Sequence, residues 1–127
     1  MFSKIKYSKL NSRQKENYNF HKVASKLADY GFNSLRLNDD WEGADFIAIN
    51  SKQMIKVQLK SRFTIDKKYL GKKLHIAFLE KGEVKIYKHD DAVSMIPDNT
   101  KNSKSWKKGN YTWKQTPKFY SKIITVL

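Results

Sequence analysis

The chain contains no cysteine, and this absence sets the first limits on its chemistry. Without thiols there is no disulfide framework and no thiolate metal site, and a reducing compartment fits the composition. Residues 1–12 lack the apolar core of a signal peptide. No stretch approaches the roughly 20 apolar residues that a membrane-spanning helix needs. These absences predict a soluble, cytoplasmic protein with no membrane partner.

Acidic residues are also scarce, at 12 against 26 lysines and arginines, which gives a net charge of +14. Residues 99–127 carry seven lysines and no acid, and residues 52–73 carry eight basic residues and one acid. Such a field attracts polyanions, although general lysine enrichment is the alternative explanation. The acids gather instead between Asp39 and Asp45. A basic surface with one acidic spot suits a metal-dependent enzyme acting on nucleic acid. Composition alone still allows a plain binding protein or a membrane-surface binder.

Length and hydrophobic spacing predict one α/β domain, because 127 residues with 39% hydrophobic side chains support a modest core. Asn11 and Ser12 with Gln14 form a pattern typical of a helix start, and Gly31 marks the predicted end of that helix. The fold class is α/β, with a central mixed β-sheet flanked by helices. The core spans about residues 12–96, and residues 98–127 form a basic, aromatic carboxy-terminal extension. The further predicted elements are strands at 33–37, 46–49, 54–60 and 111–113, a hairpin at 74–79 and 84–87, loops at 38–43 and 98–110, and helices at 90–95 and 118–127.

Three polar residues stand out within two of the predicted strands. If residues 50–52 form the hairpin turn, position 45 pairs with about position 57 or 58, so Asp45 and Gln58 converge on one sheet face. Lys60 follows two residues later on that face. A carboxylate and an amide oxygen are hard ligands that suit Mg²⁺, and an adjacent ammonium can orient water or stabilise a phosphate. Taken singly, each residue is more often a turn, surface or solvated side chain.

Asp45 followed thirteen positions later by Gln58-Leu59-Lys60 resembles the PD-(D/E)xK nuclease superfamily, in its D…QxK branch. That branch includes a homing endonuclease, and restriction endonucleases and Holliday-junction resolvases share the wider fold. The resemblance covers about residues 12–90 and implies a restriction-endonuclease-like core. It implies that Asp45 is the metal-binding carboxylate, that Gln58 stands at the second acidic position, and that Lys60 is the catalytic lysine. It also implies a metal contact from the backbone carbonyl of Leu59.

Two positions depart from that pattern. Ala44 stands where the superfamily often has proline, a change that costs little. Gln58 removes one negative charge, which is expected to weaken metal binding, and some members compensate with a glutamate from the first helix. Glu16 is the candidate here for both metal binding and catalysis, with Asn17 and His21 as alternatives.

Basic and aromatic residues outside the motif are candidates for binding nucleic acid. The interleaving of lysine with aromatic rings in SKSWKKGNYTWK suits phosphate contacts and base stacking. The alternatives are a solvated basic face and a loop whose tryptophans anchor in the core. The candidate nucleic-acid-binding residues are Lys56, Arg62, Lys67, Lys68, Lys104, Trp106, Lys107 and Lys108.

Together these patterns predict a Mg²⁺-dependent DNA endonuclease, with Mn²⁺ as an alternative ion and duplex or branched DNA as substrate. One small domain holds one such site, so cutting both strands of a duplex suggests a homodimer or a larger symmetric assembly such as a tetramer. The alternative is a non-catalytic basic nucleic-acid-binding module on the same fold. A third interpretation is an accessory subunit that acts only with a partner chain.

Overall fold

One long helix packs against a six-stranded sheet in the computed structural model, which describes residues 1–127. The mixed sheet flanked by helices confirms the predicted fold class. The protein also contains a separate two-stranded sheet. No helix is long and apolar enough to cross a membrane. The elements are α1 (Ser12–Ala28), β1 (Asn33–Trp41), β2 (Ala44–Ile49), β3 (Met54–Leu59), β4 (Thr64–Asp66), β5 (Leu74–Glu80), β6 (Glu83–Lys88), α2 (His89–Ser94), α3 (Asp98–Lys101), α4 (Lys104–Lys108), β7 (Asn110–Thr112) and β8 (Ile124–Val126). Three short 3-10 helices cover Tyr7–Lys9, Lys67–Tyr69 and Lys118–Ile123. The strand order in the six-stranded sheet is β1-β2-β3-β5-β6-β8, and the two-stranded sheet pairs β4 with β7.

Helix α1 begins where the sequence predicts. The Asn11 side chain accepts a hydrogen bond from the Gln14 backbone N–H, and the Gln14 side chain accepts one from the Asn11 backbone N–H. This reciprocal pair satisfies two of the free N–H groups at the helix start. The buried face of the helix carries Val23 and Leu27, which pack in the core beside the sheet. Asn11 therefore fixes the position of the first turn of α1, which borders the candidate site.

The sheet is antiparallel except at its centre, where β3 and β5 run parallel. The connection between these two strands runs over the sheet face that lies opposite α1. It inserts Phe63, Ile65 and Tyr69 into the larger of two buried clusters. Parallel neighbours require such a crossover because the chain must return to the same end of the sheet. The predicted hairpins around residues 50–53 and 81–82 are confirmed.

Three predicted segments differ from the structure. The predicted loop 38–43 is mostly strand, because β1 continues to Trp41 and pairs with β2. The predicted loop 98–110 contains α3 and α4, with Ser103 capping α4 by accepting from the Trp106 N–H at 3.1 Å. The predicted final helix 118–127 is a 3-10 turn followed by β8, which pairs with β6. Residues 98–127 are thus part of the core rather than an extension, since Trp106 and Tyr120 are buried there.

The tight turn between β1 and β2 depends on Gly43, and we expect Gly43→Ala to destabilise the protein more than Gly82→Ala. Both glycines have positive φ, +86° and +78°, so alanine strains either turn by about 1–2 kcal/mol. At position 43 a Cβ would also lie 2.8 Å from Leu74 Cδ1 and 2.9 Å from Tyr69 Cδ1, whereas nothing lies within 4 Å at position 82. Both neighbours are buried, so overpacking adds about 1–3 kcal/mol. Urea unfolding measures the difference, and equal losses would contradict this packing.

Candidate active site

Asp45 and Gln58 are brought together by the hairpin of β2 and β3. Phe46 pairs with Val57 in antiparallel register, and continuing this register by one residue sets Asp45 opposite Gln58. Directly opposed residues project from the same face, with Cβ atoms about 4.5–5.5 Å apart. The register therefore confirms the pairing that the turn position predicts.

The Asp45 carboxylate is partly buried and lies in an acidic environment. Its Oδ2 accepts a hydrogen bond from the Leu59 backbone N–H at 2.8 Å. Burial raises the pKa of Asp45, and the negative charges of Asp40 and Glu16 raise it further, against the lowering effects of the Leu59 N–H and the Lys60 ammonium. A carboxylate whose pKa is raised in part by neighbouring negative charges lies where a bound cation relieves the repulsion.

Among the three candidates from the first helix, the structure brings only Glu16 into the cleft beside Asp45. Asn17 instead accepts a hydrogen bond from Arg36 Nη1 through its Oδ1, at 2.6 Å. His21 is exposed and packs edge-on against Phe20, outside the cleft. The position of Glu16 follows from the capped start of α1, whose first turns border the cleft.

A wide irregularity in β1 supplies two further carboxylates. Four residues, Leu37 to Asp40, occupy β1 between the pairs Arg36–Phe46 and Trp41–Ala44, and only Asp45 stands opposite them on β2. Such an insertion re-aims side chains beside a strand end. It places Asp39 and Asp40 on the wall of the cleft. Asp40 also accepts a hydrogen bond from the Gly43 N–H at 3.3 Å, so it caps the turn between β1 and β2.

Lys60 lies at the end of β3, where its backbone N–H donates to the Ala77 carbonyl at 3.0 Å. Its ammonium Nζ lies 5.4 Å from the centre of the Tyr69 ring, and Lys68 Nζ lies 5.2 Å from the same ring. Burial raises the pKa of Tyr69, which also senses the charges of Lys68 and Asp45. Lys60 and Lys68 therefore flank one buried aromatic ring, and of the two only Lys60 lines the cleft.

Glu16, Asp45, Gln58 and Lys60 line a cleft of about 520 Å³ between α1 and one end of the sheet. Its lining holds four carboxylates and three basic side chains, which are Lys15, Arg36 and Lys60. Sequence reasoning missed several cleft residues, most clearly Arg36 and Tyr7, which no motif spacing marks. Arg36 occupies a strand position next to the irregularity and lies with its guanidinium carbon 5.0 Å from the Phe20 ring centre. The cleft is lined by Tyr7, Ser12, Lys15, Glu16, Asn19, Arg36, Leu37, Asn38, Asp39, Asp40, Ala44, Asp45, Gln58, Leu59, Lys60 and Ser61.

The predicted nucleic-acid-binding residues fall into three groups. Lys56 is engaged within the chain, because it forms an ion pair with Glu42 and lies over the Trp41 ring. The hydrogen bond to Lys56 and its charge together lower the pKa of Glu42. Trp106 is buried in the core, so the anchoring interpretation describes it and its ring is not free to stack on a base. The remaining six are exposed to solvent, namely Arg62, Lys67, Lys68, Lys104, Lys107 and Lys108.

The oxygen donors of the cleft fit a magnesium ion that a substrate helps to bind. No group of three or more histidine, aspartate or glutamate side chains lies close enough to hold a metal ion by itself. Mg²⁺ commonly uses one or two carboxylates and completes its shell with water and substrate phosphate. Asp45 and Glu16 would provide those carboxylates. The Leu59 carbonyl accepts from Gln58 Nε2 at 3.3 Å and retains a second lone pair.

Comparisons with protein-family profiles, with curated proteins and with solved structures found no match for this chain.

Proposed function

We propose that the protein is a metal-dependent DNA endonuclease that hydrolyses phosphodiester bonds in the cleft between α1 and the sheet, with Mg²⁺ or Mn²⁺ as the ion. The observation that carries this proposal is the convergence of Asp45, Gln58, Lys60 and Glu16 on one cleft. These residues come from three separate elements. The net charge of +14 provides a field that attracts a polyanionic substrate.

Each residue has a distinct role in the proposed reaction. Asp45, whose Oδ2 accepts from the Leu59 N–H, would hold the ion together with the Leu59 carbonyl, Gln58 and Glu16. When bound, the ion supplies Lewis-acid stabilisation of charge on the phosphate. Lys60 orients the attacking water and offsets negative charge at the reacting phosphate.

Under this proposal, the number of chains in the active assembly depends on how many cuts the substrate requires. One chain carries one such cleft, so two cuts across a duplex require two chains, arranged as a homodimer or a larger symmetric oligomer. A branched or tailed substrate that needs only one cut does not impose this requirement. Light scattering in the presence of each substrate distinguishes these assemblies.

The proposal is tested by cleavage of plasmid and branched-junction DNA with and without Mg²⁺ or Mn²⁺. We expect metal-dependent cutting by the wild type and a loss of about 100-fold in Lys60→Ala, because a charge-stabilising group is removed. Lys88→Ala is the matched control, since Lys88 is also exposed at a strand end but lies away from the cleft. Cutting that is independent of metal, or equal in the two lysine variants, would refute the proposed mechanism.

A non-catalytic nucleic-acid-binding module is the second candidate. It is favoured because no three acidic or histidine side chains lie close enough together to hold a metal ion by themselves. Under that function the protein binds DNA in a salt-dependent way and cuts nothing, with any ion. Binding without cutting, unchanged in Lys60→Ala, would identify the module. Cutting that appears only on addition of a partner chain would identify the accessory subunit.

A further inference from the structure

A second, smaller cavity adjoins the cleft. It has a volume of about 290 Å³ and lies between the start of α1 and the turn joining β5 to β6. Tyr7, Asn19, Lys60 and Ser61 line both cavities, so the two are separated only by shared side chains. We call this cavity the side groove, lined by Tyr7, Tyr18, Asn19, Lys60, Ser61 and Lys81 among others.

The two cavities differ in charge. The cleft combines the carboxylates of Glu16, Asp39, Asp40 and Asp45 with the basic side chains of Lys15, Arg36 and Lys60. The side groove has no acidic residue in its lining and carries Lys60 and Lys81. A phosphate chain passing from the cleft to the side groove therefore moves from a mixed lining to one that carries positive charge alone. The side groove thus suits the phosphates next to the one that reacts.

Two tyrosines form the aromatic wall of the side groove. Tyr7 and Tyr18 are 41% and 37% exposed, and their ring centres are 5.1 Å apart in an edge-to-face arrangement. The Tyr7 hydroxyl donates to Asn19 Oδ1 at 3.1 Å, which holds the ring against α1. Lys15 Nζ lies 5.4 Å from the Tyr7 ring centre and Lys22 Nζ lies 5.3 Å from that of Tyr18. Fixed aromatic rings beside lysines are the combination that binds unpaired bases.

We infer that the side groove binds an unpaired nucleic-acid strand that leads into the cleft, so the substrate carries a single-stranded segment next to the cleaved bond. This inference rests on the proposed nuclease function. Bases within a duplex stack on one another and offer no free face to a tyrosine wall. A groove of about 290 Å³ also admits single nucleotides rather than a duplex. The implied substrate class is a tailed, flapped or gapped nucleic acid.

Binding is tested by fluorescence anisotropy with a labelled single strand and a blunt duplex of equal length, in EDTA so that nothing is cut. We expect Tyr7→Ala and Tyr18→Ala each to weaken single-strand binding about 10-fold and to leave duplex binding unchanged. Tyr7→Phe keeps the ring but loses the hydrogen bond to Asn19, and it is expected to weaken binding less than Tyr7→Ala does. Tyr30→Ala is the matched control, since Tyr30 is 53% exposed and follows the other end of α1. Losses no larger than that of Tyr30→Ala would overturn the inference.

Cleavage of tailed and blunt duplexes by the wild type in Mg²⁺ separates this inference from the proposed function. Faster cutting of the tailed substrate, lost in Tyr7→Ala, is the expected result. If tailed and blunt duplexes are cut equally in all variants, the side-groove inference is wrong and the proposed nuclease function is retained. If nothing is cut while single-strand binding still needs both tyrosines, the proposed nuclease function is wrong and the side groove is retained as a single-strand binding site. The melting temperatures of the tyrosine variants check that folding is unchanged.

Discussion

Replacing Asp45 with asparagine is expected to abolish metal-dependent cleavage and, at the same time, to stabilise the metal-free protein. Asparagine keeps an oxygen that accepts from the Leu59 N–H, so the local geometry is preserved. It removes the negative charge that the proposed ion needs. Because metal-ion stabilisation of a reacting phosphate is worth several kcal/mol, cleavage is expected to fall at least about 1,000-fold. Because substrate phosphate completes the proposed site, Mg²⁺ titration calorimetry with a non-cleavable DNA present is expected to show binding to the wild type and none to the variant.

The stability of Asp45→Asn has a definite pH dependence. The folded-state pKa of Asp45 is raised, by burial first, so the ionised carboxylate is less favourable in the folded protein than in the unfolded chain. Wild-type stability therefore falls as pH rises from the ordinary aspartate pKa through the raised one, and the loss persists above it. Asparagine does not titrate. In EDTA the melting temperature of the Asp45→Asn variant is expected to exceed that of the wild type by a few degrees at neutral pH. Below the ordinary aspartate pKa the two melting temperatures are expected to be equal.

Asp39→Asn is the matched control, because Asp39 lies in the same cleft and carries no proposed ligand role. It is expected to retain metal-dependent cleavage. A melting temperature for Asp45→Asn that is lower than that of the wild type at neutral pH would contradict a raised pKa for the Asp45 carboxyl group. Equal cleavage by Asp45→Asn and the wild type would remove Asp45 from the proposed site.

Phe63→Ala is expected to produce the largest loss of stability. Phe63 is fully buried at the centre of the larger core cluster. Its ring centre lies 4.4 Å from those of both Tyr87 and Tyr120, and 5.4 Å from that of Trp113. Truncating a buried phenylalanine costs about 3–5 kcal/mol through lost burial and the cavity left behind. A domain of this size typically has only about 5–15 kcal/mol of stability, so we expect a melting temperature lower by roughly 10–20 °C.

Phe2→Ala provides the control for this core variant, because Phe2 is fully exposed and its removal is expected to change nothing measurable. Thermal unfolding followed by circular dichroism measures both. A similar melting temperature for the two variants would show that the crossover does not bury Phe63. Retained weak cleavage below the melting temperature of Phe63→Ala would show that the cleft survives a loosened core.

Local signals in the sequence predicted the elements that hold the site. The Asn11–Gln14 capping pair places the first turn of α1, and the hairpin turn at residues 50–53 sets Asp45 opposite Gln58. Both signals act between residues close in sequence. The central mixed sheet also follows from alternating apolar strands and tight turns, although its strand β8 lies in a predicted helix. These features were predictable because each rests on spacing that one short segment contains.

The remaining features depend on contacts between distant segments. Residues 38–40 are polar and have no strand pattern of their own; they belong to β1 because Arg36 and Trp41 on either side pair with β2. The β-branched residues Ile124 and Thr125 favour a strand, a signal that could have identified β8, but its partner β6 lies far away in sequence. Tyr7 and Arg36 reach the cleft through packing that no motif encodes. The burial of Trp106 likewise follows from the core around it.

Strand β1 is the outermost strand of the sheet, and its nine residues leave one row of backbone hydrogen-bonding groups without a neighbouring strand. Exposed strands of this length invite pairing with another chain, which leads to aggregation. Charged side chains and irregular pairing are two of the means by which proteins prevent it. Asp39, Asp40 and the irregular register of β1 provide both. The carboxylates that make the cleft acidic therefore also protect the protein's solubility, so neutralising both is a route to precipitation as well as to an altered cleft.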